Sequence, residues 1–395
     1  MNVFHPSIFQ SFWMGGFESA CHVNKAGHRL DMLRTTQHDR FVRDDYAALQ
    51  GMHIGTARDT IRWHLVEETA GVYNFASFDP YIDAANDTGI EIIWDLLHYG
   101  LPDGLDIFSP EFVDRFARFS QAAASHVRGR LGGERFYTPI NELSFFAWAA
   151  GEVGWFHPFS THRGGELKQQ LVRAWIASVD AIRSVDPGAR IVSVEPLIHT
   201  VPPRRRRDDG SRAALQNESQ WEAWDMISGR LQPELGGNAR YLDIIGVNFY
   251  HDNQWEVPGG RKIAWHIKPR DQRWVPFNLL IRAAYDRYTR PIIIGETSHV
   301  GSGRAEWIRE LTDEVLLAIQ AGLPLEGICL YPIMDRFEWN DPTHWHNSGL
   351  WDYAIEPDGT FRRVLNEEYA EEFLRSQLRL AAVGFGSVEP DEATA

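Results

Sequence analysis

Eight short apolar runs, rich in β-branched residues, recur along the chain, and their spacing restricts the fold more than any other feature. They cover Ser11–Phe17, Met52–Arg58, Glu91–Leu96, Glu134–Ile140, Arg190–Glu195, Asp243–Asn248, Pro291–Gly295 and Gly327–Tyr331. Near-continuous apolar runs of this length read as strands buried on both faces. Helical stripes fill most of the gaps. Phe78–Ala85 stops before Gly89, Ser109 and Pro110 open a stretch carrying Phe112, Phe116, Phe119 and Ala123, and Leu171–Ile182 and Trp307–Ile319 follow the same period. Helix after strand implies a parallel sheet, and eight such units imply closure into a (β/α)8 TIM barrel. An open doubly wound sheet would want a Gly-rich phosphate loop after the first strand, and Met14-Gly15-Gly16-Phe17 has the wrong spacing for one. No low-complexity linker interrupts the pattern. Residues 1–382 are therefore read as one barrel domain with elaborated loops after the strands, and 383–395 as a flexible tail.

In such a barrel the C-terminal ends of the strands gather on one face, where active sites form. The residues expected there are Arg58, His98, Asn141, Glu142, Asn248, Tyr250, Glu296, Glu338 and Trp339. Each has a bland reading taken singly: a surface arginine, a core histidine, packing aromatics. Together they hold two carboxylates, Glu142 and Glu296, each closing an apolar run. Paired carboxylates cleave glycosidic bonds, and retention requires one as nucleophile and one as proton donor, roughly 5–5.5 Å apart. A nearby arginine keeps a nucleophile ionised, and aromatic walls suit the C–H faces of a sugar. This chemistry needs no cofactor and no metal.

Charge and cysteine usage narrow the partners. A net charge of −15 argues against nucleic acid. No apolar stretch is long enough for a membrane span, and the N-terminus lacks the pattern of a signal peptide, with ordered sequence expected from about Gln10. With only two cysteines, Cys21 and Cys329, no disulfide framework is expected, so the chain is read as cytoplasmic. The basic run Arg204–Arg207 is followed by Asp208 and Asp209 and reads as a solvated loop.

The order of motifs resembles the family 1 glycoside hydrolases, the β-glucosidase group of the retaining (β/α)8 clan. Phe12 to Ala20 is similar to the family's opening strand, Arg58-Asp59-Thr60-Ile61-Arg62-Trp63 to its Arg-Phe-Ser-Ile-Ser-Trp, and His98-Tyr99-Gly100-Leu101-Pro102 to its His-Trp-Asp-Leu-Pro. Thr138-Pro139-Ile140-Asn141-Glu142 stands at its Thr-Phe-Asn-Glu-Pro. Gly246-Val247-Asn248-Phe249-Tyr250 and Asp335-Arg336-Phe337-Glu338-Trp339 resemble its Gly-Ile-Asn-Tyr-Tyr and Asp-Asn-Phe-Glu-Trp. The resemblance implies that Glu142 is the acid/base and Glu296 the nucleophile, with Arg58 and Tyr250 beside Glu296. It also implies that His98 and Asn141 bind the sugar, and that Glu338 with Trp339 grips its distal hydroxyls. The implied activity is retaining hydrolysis of short β-glycosides from one end, with a carbohydrate as substrate.

Three departures fall where sugars are recognised. His22 stands at the family's glutamine, Tyr331 at its tryptophan after the eighth strand, and Ile294-Gly295-Glu296-Thr297-Ser298 replaces its Thr-Glu-Asn-Gly. The late loop Asn347-Ser348-Gly349-Leu350-Trp351 lacks the Ser, Lys and Tyr that hold phosphate in the 6-phosphoglycosidases, so a non-phosphorylated sugar is expected. Rival chemistries have weaker support. His344-Trp345-His346 is the sole His-x-His and lies in a late loop, and no Gly-x-Ser-x-Gly occurs. A transglycosylase of the same clan, which shares the glycosyl-enzyme, and a catalytically silent carbohydrate-binding barrel stay open as alternatives.

Overall fold

A computed structural model describes residues 6–204 and 210–383. Most of the basic run and nearly all of the expected tail, 205–209 and 384–395, lie outside the described residues. Arg204 itself pairs with Asp271 at 2.8 Å.

The eight expected strands form one closed parallel barrel. They are β1 (Trp13–Gly16), β2 (Thr56–Thr60), β3 (Glu91–Asp95), β4 (Phe136–Thr138), β5 (Arg190–Pro196), β6 (Ile244–Asn248), β7 (Ile292–Thr297) and β8 (Leu325–Leu330). Each neighbours the next, and β8 closes on β1 through Trp13–Ile328, Met14–Cys329 and Gly15–Leu330. One principal helix follows each strand: α1 (His38–Gly51), α2 (Asp79–Thr88), α3 (Pro110–Arg130), α4 (Gly164–Val185), α5 (Glu222–Ser228), α6 (Phe277–Tyr288), α7 (Arg304–Gln320) and α8 (Glu367–Ala381). Helix α3 shows why the pattern was readable. Phe112, Phe116, Phe119, Ala123 and Val127 fall on one buried stripe against the sheet. Ser109 occupies its N-cap position but does not cap it; the hydroxyl donates to the carbonyl of Asp106 at 2.7 Å.

Met14, Ile93, Phe136, Val192, Val194, Ile244, Ile293 and Cys329 fill the barrel interior. Order begins earlier than Gln10. Ser7 bonds Glu326 through its backbone N–H and hydroxyl, and Phe9 packs on Phe136 at 4.6 Å between ring centroids, closing the barrel floor.

Several strand boundaries differ from expectation by a few residues, and two of the shifts move the glutamates. Strand β2 starts at Thr56 because Met52–Gly55 is the turn leaving α1. Strand β4 stops at Thr138, so Glu142 lies four residues beyond it, in a left-handed conformation (φ 41°, ψ 60°). Strand β7 continues through Glu296 to Thr297. Beyond β8 the chain makes two antiparallel hairpins, Phe337–Glu338 with Asp341–Trp345 and Trp351–Ile355 with Phe361–Leu365, which roof one side of the mouth.

Candidate active site

A bulge in β7 aims Glu296. Val247 pairs with Ile294 and Asn248 with Glu296, leaving Gly295 unmatched, and across β8 the pairing likewise jumps from Ile294 to Thr297. Alternation alone would turn Glu296 away from the interior that Ile293 faces; the extra residue brings it back. Glycine is required there, because a Cβ would lie 2.6 Å from Asn248 Oδ1 and 2.8 Å from Val194 Cγ1.

Arg58 of β2 lies in the barrel interior beneath Glu296. Its guanidinium donates to Glu296 Oε1 at 2.7 Å, grips both oxygens of Asp95 at 3.0 and 2.7 Å, and reaches Asn141 Oδ1. Tyr250 donates to the other oxygen of Glu296 at 2.8 Å. Burial would raise the pKa of Asp95, but the Arg58 charge and His98 outweigh it and hold the carboxyl below its usual value. Two donors, one of them cationic, thus meet Glu296 and fix its direction.

Glu142 has the opposite setting. Its oxygens accept from Tyr99 at 2.8 Å and Asn248 at 3.0 Å, both neutral donors. Burial, then the charge of Glu296, pushes its pKa up to about 8, against the lowering effect of those two bonds. Tyr99 also accepts from Asn141 Nδ2 at 2.9 Å, and the same amide group meets His98 Nε2 at 3.0 Å; His98 Nδ1 faces Asp95 at 3.1 Å. A continuous polar path therefore joins the two glutamates through Arg58, Asp95, His98, Asn141 and Tyr99. Both Tyr99 (φ 69°) and Glu142 (φ 41°) adopt left-handed backbone conformations that are uncommon for non-glycine residues.

A cavity of about 260 Å³ opens over this path. Glu142, Glu296, Tyr250, His98, Tyr331 and Trp339 line it, together with Glu18, Tyr99, Phe145, Arg336 and His346. Arg58, Asn141 and Asn248 lie just beneath, holding the lining. Two expected contacts fall elsewhere. His22 sits behind the wall, stacked on Phe156 at 4.2 Å and edge-on to Trp339 at 5.0 Å, with burial pushing its pKa down to about 3. Glu338 is 48% exposed in its side chain and lies near His346 (3.8 Å) and Arg336 (4.0 Å), off the cavity lining. The cause is strand alternation: Phe337 turns inward onto Trp345, so Glu338 turns out. His344 pairs with Asp341 on the exposed hairpin, whereas His346 faces the cavity and bonds Ser348 Oγ at 2.6 Å.

No family model matches the chain. A 1,4-beta-D-glucan glucohydrolase of Thermotoga neapolitana is 22% identical over 361 residues, covering 75% of this chain and 81% of the relative. Beta-glucosidase A of Thermotoga maritima is 19% identical over 362 residues, covering 75% and 77%. Among solved structures, the beta-glucosidase of Thermotoga maritima in complex with glucoimidazole superposes with a TM-score of 0.74 over 95% of this chain and 99% of that one, at 17% identity. A structure titled as a family 1 b-glucosidase of the same organism gives 0.72 at 15% identity. The chain is thus similar in sequence to β-glucosidases at low identity and shares their barrel fold. At such identities the solved structures establish the fold, and site roles rest on the geometry above.

That geometry also adds residues to those expected. Glu18, just past β1, is buried; its Oε2 lies 3.0 Å from Arg336 Nε and its Oε1 accepts from the Ala20 N–H at 3.1 Å. It faces the cavity on the side where Glu338 was expected. Glu195, at the end of β5, is buried, and burial pushes its pKa up to about 7. It accepts from the Ser144 N–H at 3.0 Å, anchoring the first turn of the helix Leu143–Phe146 that carries the chain away from Glu142. Asp95 ends β3. All three stand at or just past strand ends, the same rule that singled out Glu142 and Glu296.

Proposed function

We infer that the protein is a retaining β-glycosidase of β-glucosidase type, acting from one end of short, non-phosphorylated β-glycosides. The observation that carries this reading is the unequal setting of two glutamates in one cavity: Arg58 and Tyr250 each donate a hydrogen bond to Glu296, whereas burial favours the protonated form of Glu142. Glu296 attacks the anomeric carbon as the bond to the leaving oxygen breaks, and Glu142 gives that oxygen its proton. Glu142, now a carboxylate, takes a proton from water; the water oxygen attacks the same carbon and releases Glu296. Tyr331, Trp339 and His98 serve as the sugar's walls, and Asn141 holds His98 and Tyr99 from beneath.

The cavity supports single-sugar occupancy, since its volume lies below the roughly 300–1,000 Å³ of sites for larger ligands. Among the described residues, Arg336 is the one arginine or lysine lining it, and its pairing with Glu18 favours a neutral sugar over a phosphorylated one. Two buried free cysteines accord with a cytoplasmic location, and the reading treats 1–382 as one catalytic unit.

A panel of aryl β-glycosides (glucoside, galactoside, fucoside, mannoside, xyloside) tests the activity and identifies the sugar. Glu296→Ala should abolish turnover, and azide should restore it with the α-glycosyl azide as product. Wild-type turnover in that variant would remove Glu296 from the role. Silence of the wild type across the panel would favour a binding protein.

A further inference from the structure

Glu142 occupies the N-cap position of the helix Leu143–Phe146, which runs on as a π-helical turn, Ala147–Glu152. A polar residue at that position commonly turns its side chain back onto one of the first helical N–H groups, which have no partner inside the helix. Glu142 makes no such bond. Its backbone is left-handed, and its two oxygens are taken by Tyr99 and Asn248 at the cavity. The Ser144 N–H, second in the helix, therefore finds no acceptor in its own turn.

Glu195 supplies one from the next strand of the barrel. Its carboxyl oxygens lie 3.0 and 3.3 Å from the Ser144 nitrogen. One residue earlier in β5, the Val194 carbonyl accepts from the Glu142 N–H at 3.2 Å. Consecutive residues of β5 thus hold the backbone on either side of the Glu142 Cα.

Packing alone is a poor reason for a carboxyl group at this place. Glu195 is 1% exposed, and Lys168, whose charge is felt there, pairs directly with Glu222 at 2.6 Å. Burying a carboxyl group without a cation bound to it is costly, and an accepted N–H bond offsets part of that cost. The bond that Glu195 accepts belongs to the turn that presents Glu142.

The geometry sets up a competition. Ser144 stands two residues past Glu142, the spacing over which an N-cap side chain reaches a first-turn N–H. A Glu142 that served this N–H would be withdrawn from the cavity. We propose that Glu195 is a positioning residue, capping the helix in place of Glu142 and so leaving the Glu142 carboxyl group free to face the cavity. This role rests on Glu142 being the proton donor of the glycosidase reading. Its loss strikes proton donation and spares the attack by Glu296, which Arg58 and Tyr250 orient from other strands.

Two aryl β-glycosides of the preferred sugar separate those steps. A 2,4-dinitrophenyl leaving group departs without a proton, whereas a 4-methoxyphenyl group needs one. Glu195→Ala should lower kcat/KM for the methoxyphenyl glycoside about a hundredfold and for the dinitrophenyl glycoside by less than about threefold. Glu195→Gln, which retains an acceptor oxygen, should recover most of the loss. Glu195→Asp, one methylene shorter, should lose part of the activity with the same selectivity, and it carries the comparison if the alanine variant does not fold. Urea denaturation of each variant checks folding. Equal losses on both substrates, or none on either, in the variants that fold overturn the positioning role and leave the glycosidase reading intact. A wild type that cleaves neither glycoside overturns both.

Discussion

Arg58 donates to Glu296 at 2.7 Å through one nitrogen and grips Asp95 along its other edge. All three side chains are buried, so the guanidinium compensates two carboxylates at once. Its removal would leave both uncompensated. Arg58→Ala should lower unfolding stability by roughly 3–5 kcal/mol, the usual cost of breaking a buried ion pair, as read from urea denaturation. Arg58→Lys keeps the charge but cannot serve Asp95 bidentately and Glu296 together; it should fold better than the alanine variant and still lose most of kcat. Near-normal kcat in the lysine variant would count against the clamp.

Burial and the charge of Glu296 raise the pKa of Glu142, which favours its protonated form at neutral pH. Under the glycosidase reading that form is the proton donor; it is lost as pH climbs through the raised value, so the alkaline limb of kcat/KM should fall near pH 8. Tyr99 bonds the ionised form, so Tyr99→Phe should shift that limb upward. Carbon-13 titration of Glu142 in Glu296→Gln should shift downward, since a like charge has gone. A limb that ignores both changes belongs to another group.

Gly295 makes room for the bulge that aims Glu296. Gly295→Ala would press a methyl group onto Asn248 Oδ1 and Val194. The expected cost is about 1–3 kcal/mol of stability, by thermal melt, with a larger proportional loss of kcat than of substrate affinity. Wild-type kinetics in this variant would mean that the placement of Glu296 does not depend on the bulge.

Glu18 faces the cavity on Arg336, whereas Glu338 faces solvent. Glu18→Gln should lower kcat/KM for the best neutral aryl glycoside about tenfold and improve relative turnover of the matching uronide, because Arg336 loses its counter-charge. Glu338→Gln should change either value by less than about threefold. The reverse ranking would return the sugar contact to Glu338.

Away from the mouth, His38 lies between Asp45 (2.7 Å) and Asp59 (2.9 Å), beside Tyr46 and Tyr81, with Arg363 on the far side of Asp45. Burial would lower its pKa, but the Asp59 charge and bonds to both carboxylates raise it to about 9 from 6.5. A folded value above the unfolded one means stabilisation that is complete below pH 6.5 and lost as pH rises through about 9. Denaturation midpoints should fall across that window in the wild type and stay flatter in His38→Asn. Parallel profiles would show that the imidazole is not charged in the fold.

The barrel was readable because its strands are apolar runs at a regular interval, a property of local sequence. Glu142 and Glu296 were readable because strand ends in a barrel converge. Applied to strands one, three and five, the same rule reaches Glu18, Asp95 and Glu195. The β7 bulge was hidden, since its register is set by pairing with β6 and β8 and not by the local run. Side-chain direction was hidden too: adjacent motif residues such as Glu338 and Trp339 gave no sign that alternation would expose one and keep the other at the cavity wall. His22 fills the family's glutamine position yet stays behind the wall, because Phe156 offers its ring an apolar stacking partner.

Phe9 on Phe136, with Ser7 tied to Glu326, stoppers the bottom of the barrel. Under the glycosidase reading this makes the cavity a cul-de-sac with a single door, and traffic through it has a fixed order. The leaving group stands nearest the door and departs first; the sugar released from Glu296 must follow by the same route. Until it does, that monosaccharide blocks the next substrate, so the end product acts as a competitive inhibitor by position alone.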